Sequence, residues 1–171
     1  MKDTLLLIRH ARAAGQAPDA PLTPEGVAQA GALAETLSGC GITRIISSPW
    51  RRAVDTAGSL AERLSLPIQT DERLTERVLS SADRADWMGR LRESFDDEHL
   101  ALPGGESGHT ARARILAVLE GARDPAGITA VVSHGNLLAL ALGLDYDGWA
   151  NLRNPDVWVW DAKASVRWKP V

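Results

Sequence analysis

The stretch Thr4-Leu5-Leu6-Leu7-Ile8 is apolar after its first residue and stops abruptly at Arg9-His10. A run this short, without alternation, suits a β-strand covered on both faces. Arg44-Ile45-Ile46 and Thr129-Ala130-Val131-Val132-Ser133 have the same character. Between the first two, Thr23-Pro24-Glu25 sets a capping hydroxyl before a proline at the first helical position. Val27, Ala30, Ala34 and Leu37 then fall on one face before Gly39. The pattern predicts a strand, a helix and a parallel strand, the unit from which three-layer α/β/α sandwiches are built.

The rest of the chain extends that unit. After Ser47-Ser48-Pro49 a second helix is predicted with Val54, Ala57, Ala61 and Leu64 inward, followed by a short edge strand at Leu66-Pro67-Ile68-Gln69. Residues 74–105 are charged, with Trp87, Leu91 and Phe95 spaced by four, and read as an insertion over the site whose aromatic and apolar groups serve packing. A helix from about Ser107 to Arg123 precedes the strand at 129–133. Leu137 to Leu142 has no polar side and reads as a buried helix ending at Gly143. Val157-Trp158-Val159-Trp160 and Ser165-Val166-Arg167-Trp168 suggest a hairpin at one sheet edge. One domain over residues 1–171 is expected, with a largely parallel central sheet.

Composition narrows the function. The 171 residues carry a formal net charge of −3, which leaves no basic stripe for a nucleic-acid backbone. Sixteen of the 19 basic residues are arginine, the side chain suited to forked contacts with phosphate. Cys40 is the single cysteine, so neither an internal disulfide nor a thiolate metal cage is expected, and a reducing compartment is the simple reading. The apolar run before Arg9 is too short for a signal peptide or membrane span. A soluble cytoplasmic protein with no nucleic-acid or membrane partner is the expectation.

Open α/β sheets bind ligands at the carboxyl ends of their strands. The polar residues there are Arg9-His10, then Ser47-Ser48-Pro49-Trp50-Arg51-Arg52, and Ser133-His134-Gly135-Asn136. Adjacent helical residues point about 100° apart, so Arg51 and Arg52 cannot both face one pocket. Arg12 is a rim or surface residue, Glu106 begins a helix, and His99 and His109 lack ligand spacing and are read as surface residues. Asp145-Tyr146-Asp147 follows a helix and is discounted as a nucleophile motif. Cys40 lacks an arginine six positions later, and no phosphate-cradling glycine motif occurs.

Taken together, these blocks resemble the histidine phosphatase superfamily, also called phosphoglycerate-mutase-like. The resemblance rests on Leu6-Leu7-Ile8-Arg9-His10, Pro21-Leu22-Thr23-Pro24-Glu25-Gly26, Ser47-Ser48-Pro49 with Arg52-Ala53 and Thr56-Ala57, Leu74-Thr75-Glu76, Pro103-Gly104-Gly105-Glu106-Ser107 and Val131-Val132-Ser133-His134-Gly135. It implies that fold, His10 as phosphoryl-accepting nucleophile, Arg9, Arg52 and His134 as the phosphate clamp, and Glu76 as proton donor. The family's common Arg-His-Gly reads Arg9-His10-Ala11 here, and the loop from Ala11 to Ala20 lacks the usual Thr and Asn.

The chemistry this implies is self-consistent. A neutral imidazole offers a ring nitrogen to phosphorus while a backbone carbonyl fixes the other. Guanidinium forks hold the transferring oxygens, so neither metal nor cofactor is called for. The buried helix after Gly135 is expected to add its positive end to the pocket. A phosphatase acting on a phosphorylated small molecule or phosphoprotein is the leading expectation. A phosphoglycerate mutase is the rival enzyme, disfavoured by the short chain and small insertion. A non-catalytic phosphate- or phosphoprotein-binding module is the rival from another class; it would not need the nucleophile.

Overall fold

The computed structural model describes residues 3–170. Its sheet contains β1 (Thr4–Arg9), β2 (Ile42–Ser47), β3 (Ile68–Thr70), β4 (Ile128–Ser133), β5 (Asp156–Trp160) and β6 (Val166–Arg167) in the order β3-β2-β4-β1-β5-β6. The four strands from β3 to β1 run parallel, and β5 and β6 add an antiparallel hairpin edge. The expected sandwich is therefore present, with Ile68 to Thr70 at one edge as Pro67 suggested.

Side-chain alternation along the strands divides the core in two. Leu5 and Leu7 of β1 and Val131 of β4 pack with α4 (Gly108–Ala122) and α5 (Gly135–Leu142) on one face. Leu6, Ile8, Ala130 and Val132 pack with α1 (Pro24–Leu37) and α2 (Arg51–Leu64) on the other. Central strands with both faces covered explain why these segments read as unbroken apolar runs.

Helix faces differ in detail from the periodicity reading. In α1 the inward residues are Gly26, Ala30, Ala34 and Leu37, and Val27 is 60% exposed. The reason lies at Gly26, where a Cβ would sit 2.0 Å from the Arg12 carbonyl oxygen. The backbone of the loop after β1 lies against this turn, which rotates the helix and turns Val27 outward. In α2 the buried stripe is Ala53, Ala57, Leu60 and Ala61, continued by Arg52 and Thr56, while Val54 and Leu64 are half-buried. Between β3 and α4 lie a 3-10 turn (Glu72–Leu74) and α3 (Trp87–Asp96). A short α6 (Tyr146–Ala150), capped by Asp145 accepting from Gly148 N–H, follows α5 where no helix was expected.

Two glycines of α1 test this packing. Gly26→Ala should destabilise by about 1–3 kcal/mol, because its methyl meets backbone that has nowhere to move. Gly31→Ala, facing open space, should stabilise by about 0.5–1 kcal/mol. Urea unfolding of both variants measures the contrast, and equal effects would refute the close approach at Gly26.

Candidate active site

β1, β2 and β4 end together, in a register that pairs Arg9 with Ser133 and Ser47 with Val132. The residues that follow, His10, Ser48 and His134, are therefore neighbours although they lie far apart in sequence. His10 N–H donates to the Ser133 carbonyl at 3.0 Å, and Ser48 N–H to the Val132 carbonyl at 2.9 Å. The His10 and His134 rings meet edge to face with centroids 5.2 Å apart.

The orientation of His10 follows from its two ring nitrogens. Nδ1 lies 2.7 Å from the Ala11 carbonyl oxygen and, having only an acceptor there, carries the proton. Nε2 faces the Nε–H of Arg52 at 3.2 Å and so keeps its lone pair. Burial drives the His10 pKa down to about 4, assisted by the charges of Arg52 and Arg9 against the opposing effect of the Ala11 hydrogen bond. Burial likewise pushes His134 well below the ordinary imidazole range, with His10 and Arg52 adding to it. Both rings are neutral near pH 7.

The arginines are held by backbone. Arg9 donates from Nη1 to the Leu152 carbonyl at 3.0 Å. Its guanidinium packs on Gly135, where a Cβ would come within 2.9 Å of Cζ. Arg52, 1% exposed, donates from Nη1 to the Gln16 and Ala17 carbonyls at 3.2 and 3.0 Å. The Nη2 group of each arginine makes no hydrogen bond to the described residues. The loop that lacks the family's Thr and Asn thus contributes through its carbonyls, and Ala11 fills a small cluster with Leu22 and Ala30. Arg51 is exposed and pairs with Asp55 at 3.5 Å, in agreement with the opposed-face reading. Arg12 is a surface residue paired with Glu25.

Glu76 reaches the same region from the segment after the 3-10 turn. That segment is pinned by the buried Leu74, whose carbonyl accepts from Ser133 Oγ at 2.8 Å, and by Arg114, which donates to the Thr75 carbonyl. Glu76 Oε1 accepts from the N–H groups of Leu137 at 2.9 Å and Arg77 at 2.8 Å, and Oε2 accepts from Asn136 N–H at 3.0 Å. The N–H groups of Asn136 and Leu137 in the first turn of α5 are thus taken by Glu76. Glu106 pairs with Arg114, while Ser107 caps α4.

Several contributors were given no role by the sequence, although Trp50 and Thr56 stand inside the stretches quoted above. Trp50 stacks edge to face on His134 with centroids 5.0 Å apart, and the Arg52 guanidinium lies 4.8 Å from the Trp50 ring centre. Thr56 Oγ1 accepts from Ala11 N–H, and Asn154 Nδ2 donates to the His10 carbonyl. His99 and His109 are exposed as expected, although the fold brings them and Glu98 within 4.8 Å of one another. No helix among the described residues is long and apolar enough to cross a membrane.

Comparison with known proteins places this arrangement. The profile of the histidine phosphatase superfamily (branch 1) matches residues 5–159. A probable phosphoglycerate mutase of Yersinia pestis is 33% identical over 169 residues, covering 86% of this chain and 78% of that protein. The structure of a mycobacterial glucosyl-3-phosphoglycerate phosphatase is 29% identical with a TM-score of 0.73, covering 96% of each chain. A phosphoglycerate mutase from Bacillus anthracis, 18% identical with a TM-score of 0.73 over 98% of this chain and 92% of that one, shares the fold. The chain belongs to the histidine phosphatase superfamily, branch 1.

Proposed function

We propose that the chain is a metal-independent phosphomonoesterase that works through a phosphohistidine on His10. The observation that carries this reading is the placement of the His10 ring, with Nδ1 against the Ala11 carbonyl and Nε2 toward the Nε–H of Arg52, which assigns the proton to Nδ1. In the first step Nε2 forms a bond to phosphorus as the ester P–O bond breaks. The free Nη2 groups of Arg9 and Arg52 receive the equatorial oxygens, with the Nε–H of Arg52 turning from His10 to the phosphoryl group. His134 is the further donor of the clamp. Its Nε2 lies 2.8 Å from Ser48 Oγ and its Nδ1 has no protein partner.

Glu76 manages the proton. Oε1 accepts two N–H bonds and Oε2 one, so the remaining position on Oε2 is where a proton is carried to the departing alkoxide. In the second step water attacks phosphorus, the P–N bond breaks, and the same oxygen takes the water's proton. Phosphate and the free alcohol are the products, and Glu76 returns to its starting protonation state. The cavity beside the clamp, about 880 Å³ and lined by Arg9, Glu76 and Asn136, has room for that water.

His10→Ala should abolish turnover of 4-nitrophenyl phosphate, and acid-labile, base-stable phosphate should appear on His10 when the wild-type enzyme is denaturant-quenched in base. Activity should survive EDTA, since no step needs an ion. Turnover by a folded His10→Ala variant, or loss on chelation restored by one divalent metal, would contradict the mechanism.

The pH dependence has a definite sign. Because the folded His10 pKa is about 4, the nucleophile stays neutral down to mildly acidic pH, and the His10 limb of kcat/KM should fall near pH 4 rather than near the ordinary imidazole value. Between those values the unfolded chain binds the proton and the native state does not. Stability is thus full above about pH 6.5 and is lost on acidification toward pH 4, by about 3 kcal/mol for His10 alone. Urea unfolding at several pH values should show this slope reduced in His10→Gln; an unchanged slope would refute the burial argument.

Glu76→Gln should slow an alkyl phosphate about 10²–10⁴-fold and an aryl phosphate with an acidic phenol far less, since only the alkoxide needs protonation. Loss of the α5 anchor alone would lower both equally, so equal losses in pre-steady-state phosphorylation would remove Glu76 as the acid.

A further inference from the structure

Beyond the phosphate clamp, the 880 Å³ cavity continues between the segment that follows Glu76 and the end of α6. Its volume is in the range that encloses most of a drug-sized molecule, far more than a phosphoryl group requires. Indoles form much of the outer wall. Trp50 extends outward from His134, Trp87 opens α3, and Trp149 belongs to α6. Val78, Leu79 and Leu91 complete the apolar lining.

The sequence gives reason to read Trp87 as packing, yet it is 43% exposed at this cavity. Leu91, one turn later, is 1% exposed and anchors the helix. Trp149 is braced from behind by Tyr146 and Phe95, with ring centroids 5.4 and 6.2 Å away. Arg92 lies 4.2 Å from the Tyr146 ring centre, joining α3 to α6. The wall therefore has a fixed aromatic side and an exposed one facing the same space.

Charge on this wall speaks against a second anion. Arg84 is held in two-point fashion by Asp86 at 2.8 and 3.0 Å. Arg77 is 5% exposed and donates inward to the Glu106 carbonyl and Ser94 Oγ. Asp83 adds a negative charge to the lining. Among the described lining cations Arg84 is engaged by Asp86, Arg77 keeps an unpaired Nη2 that is itself buried from solvent, and Arg9 belongs to the phosphate clamp.

We propose, building on the phosphomonoesterase reading, that this outer cavity takes the alcohol part of the substrate. The substrate class is the phosphate monoester of an uncharged alcohol bearing a flat apolar ring, received by Trp50, Trp87 and Trp149. Indole faces favour offset or edge-to-face contact with such a ring, whereas a carboxylate-bearing alcohol meets Asp83 and no exposed, unpaired cation outside the clamp. Stacking and burial of the ring add affinity that a short alkyl group cannot match.

Calorimetric titration with non-hydrolysable phosphonates tests this without depending on turnover. 3-Phenylpropylphosphonate should bind about tenfold or more tighter than propylphosphonate, and the methylene-phosphonate analogue of glucose 6-phosphate should bind more weakly than the phenyl compound. Trp87→Ala should remove most of the phenyl advantage, and Trp87→Phe should restore much of it; Trp87 is exposed enough for both to fold, which circular dichroism checks. Equal affinities of the two simple phosphonates would overturn the ring assignment and leave the clamp standing. Tighter binding of the sugar analogue would overturn the apolar assignment. Failure of every phosphonate to bind in competition with inorganic phosphate would overturn the clamp and the ring together.

Discussion

Two guanidinium groups, Arg52 fully buried and Arg9 partly so, lie side by side at the end of the sheet, with Glu76 as the nearby carboxylate and no direct ion pair to it. Desolvation lowers the pKa of both Arg9 and Arg52, and Glu76 opposes it in each case. Burying such charges is expensive unless dipoles replace water, and here backbone carbonyls of Leu152, Gln16 and Ala17 do so. The loops after β1 and α6 are shaped to deliver those oxygens. Gly135 has to be glycine for Arg9 to lie against it, and Gly26 must be glycine for the first loop to close.

The same pair of charges explains the rest of the site. Burial first, and the field of these charges second, disfavours an imidazolium, so His10 and His134 stay neutral and His10 keeps a lone pair. Arg52 sits in the first turn of α2, where a cation opposes the helix dipole and no acidic residue compensates it. Such local conflicts are expected at functional or strained sites. Glu76 anchors α5, which ties the segment over the cavity to that helix.

Much of this was legible in the chain. Buried strands lack alternation, so Leu5 to Ile8 and Thr129 to Ser133 announced themselves, and the residues ending them had to meet at one sheet edge. Helical geometry showed that Arg51 and Arg52 could not both face one pocket, and the family resemblance picked out Arg52. What stayed hidden depends on backbone atoms or on distant partners. The carbonyls of Gln16, Ala17 and Leu152 carry no side-chain signature, and the capture of the α5 N-terminus by Glu76 joins residues some sixty positions apart. Val27 misled because apolar spacing alone cannot register the backbone packed against Gly26. His99 and His109 show no ligand spacing because the turn between α3 and α4, not one helix, brings them together.

The central claim is that His10 rests as a neutral imidazole with its proton on Nδ1 and its Nε2 lone pair available. Long-range ¹H–¹⁵N correlation spectra of the histidine rings, assigned by His10→Gln, read that state directly. At about pH 6, where a free imidazole is largely protonated, His10 should show one pyrrole-type nitrogen at Nδ1 and one pyridine-type nitrogen at Nε2. An imidazolium pattern at that pH, or the proton on Nε2, would contradict the account.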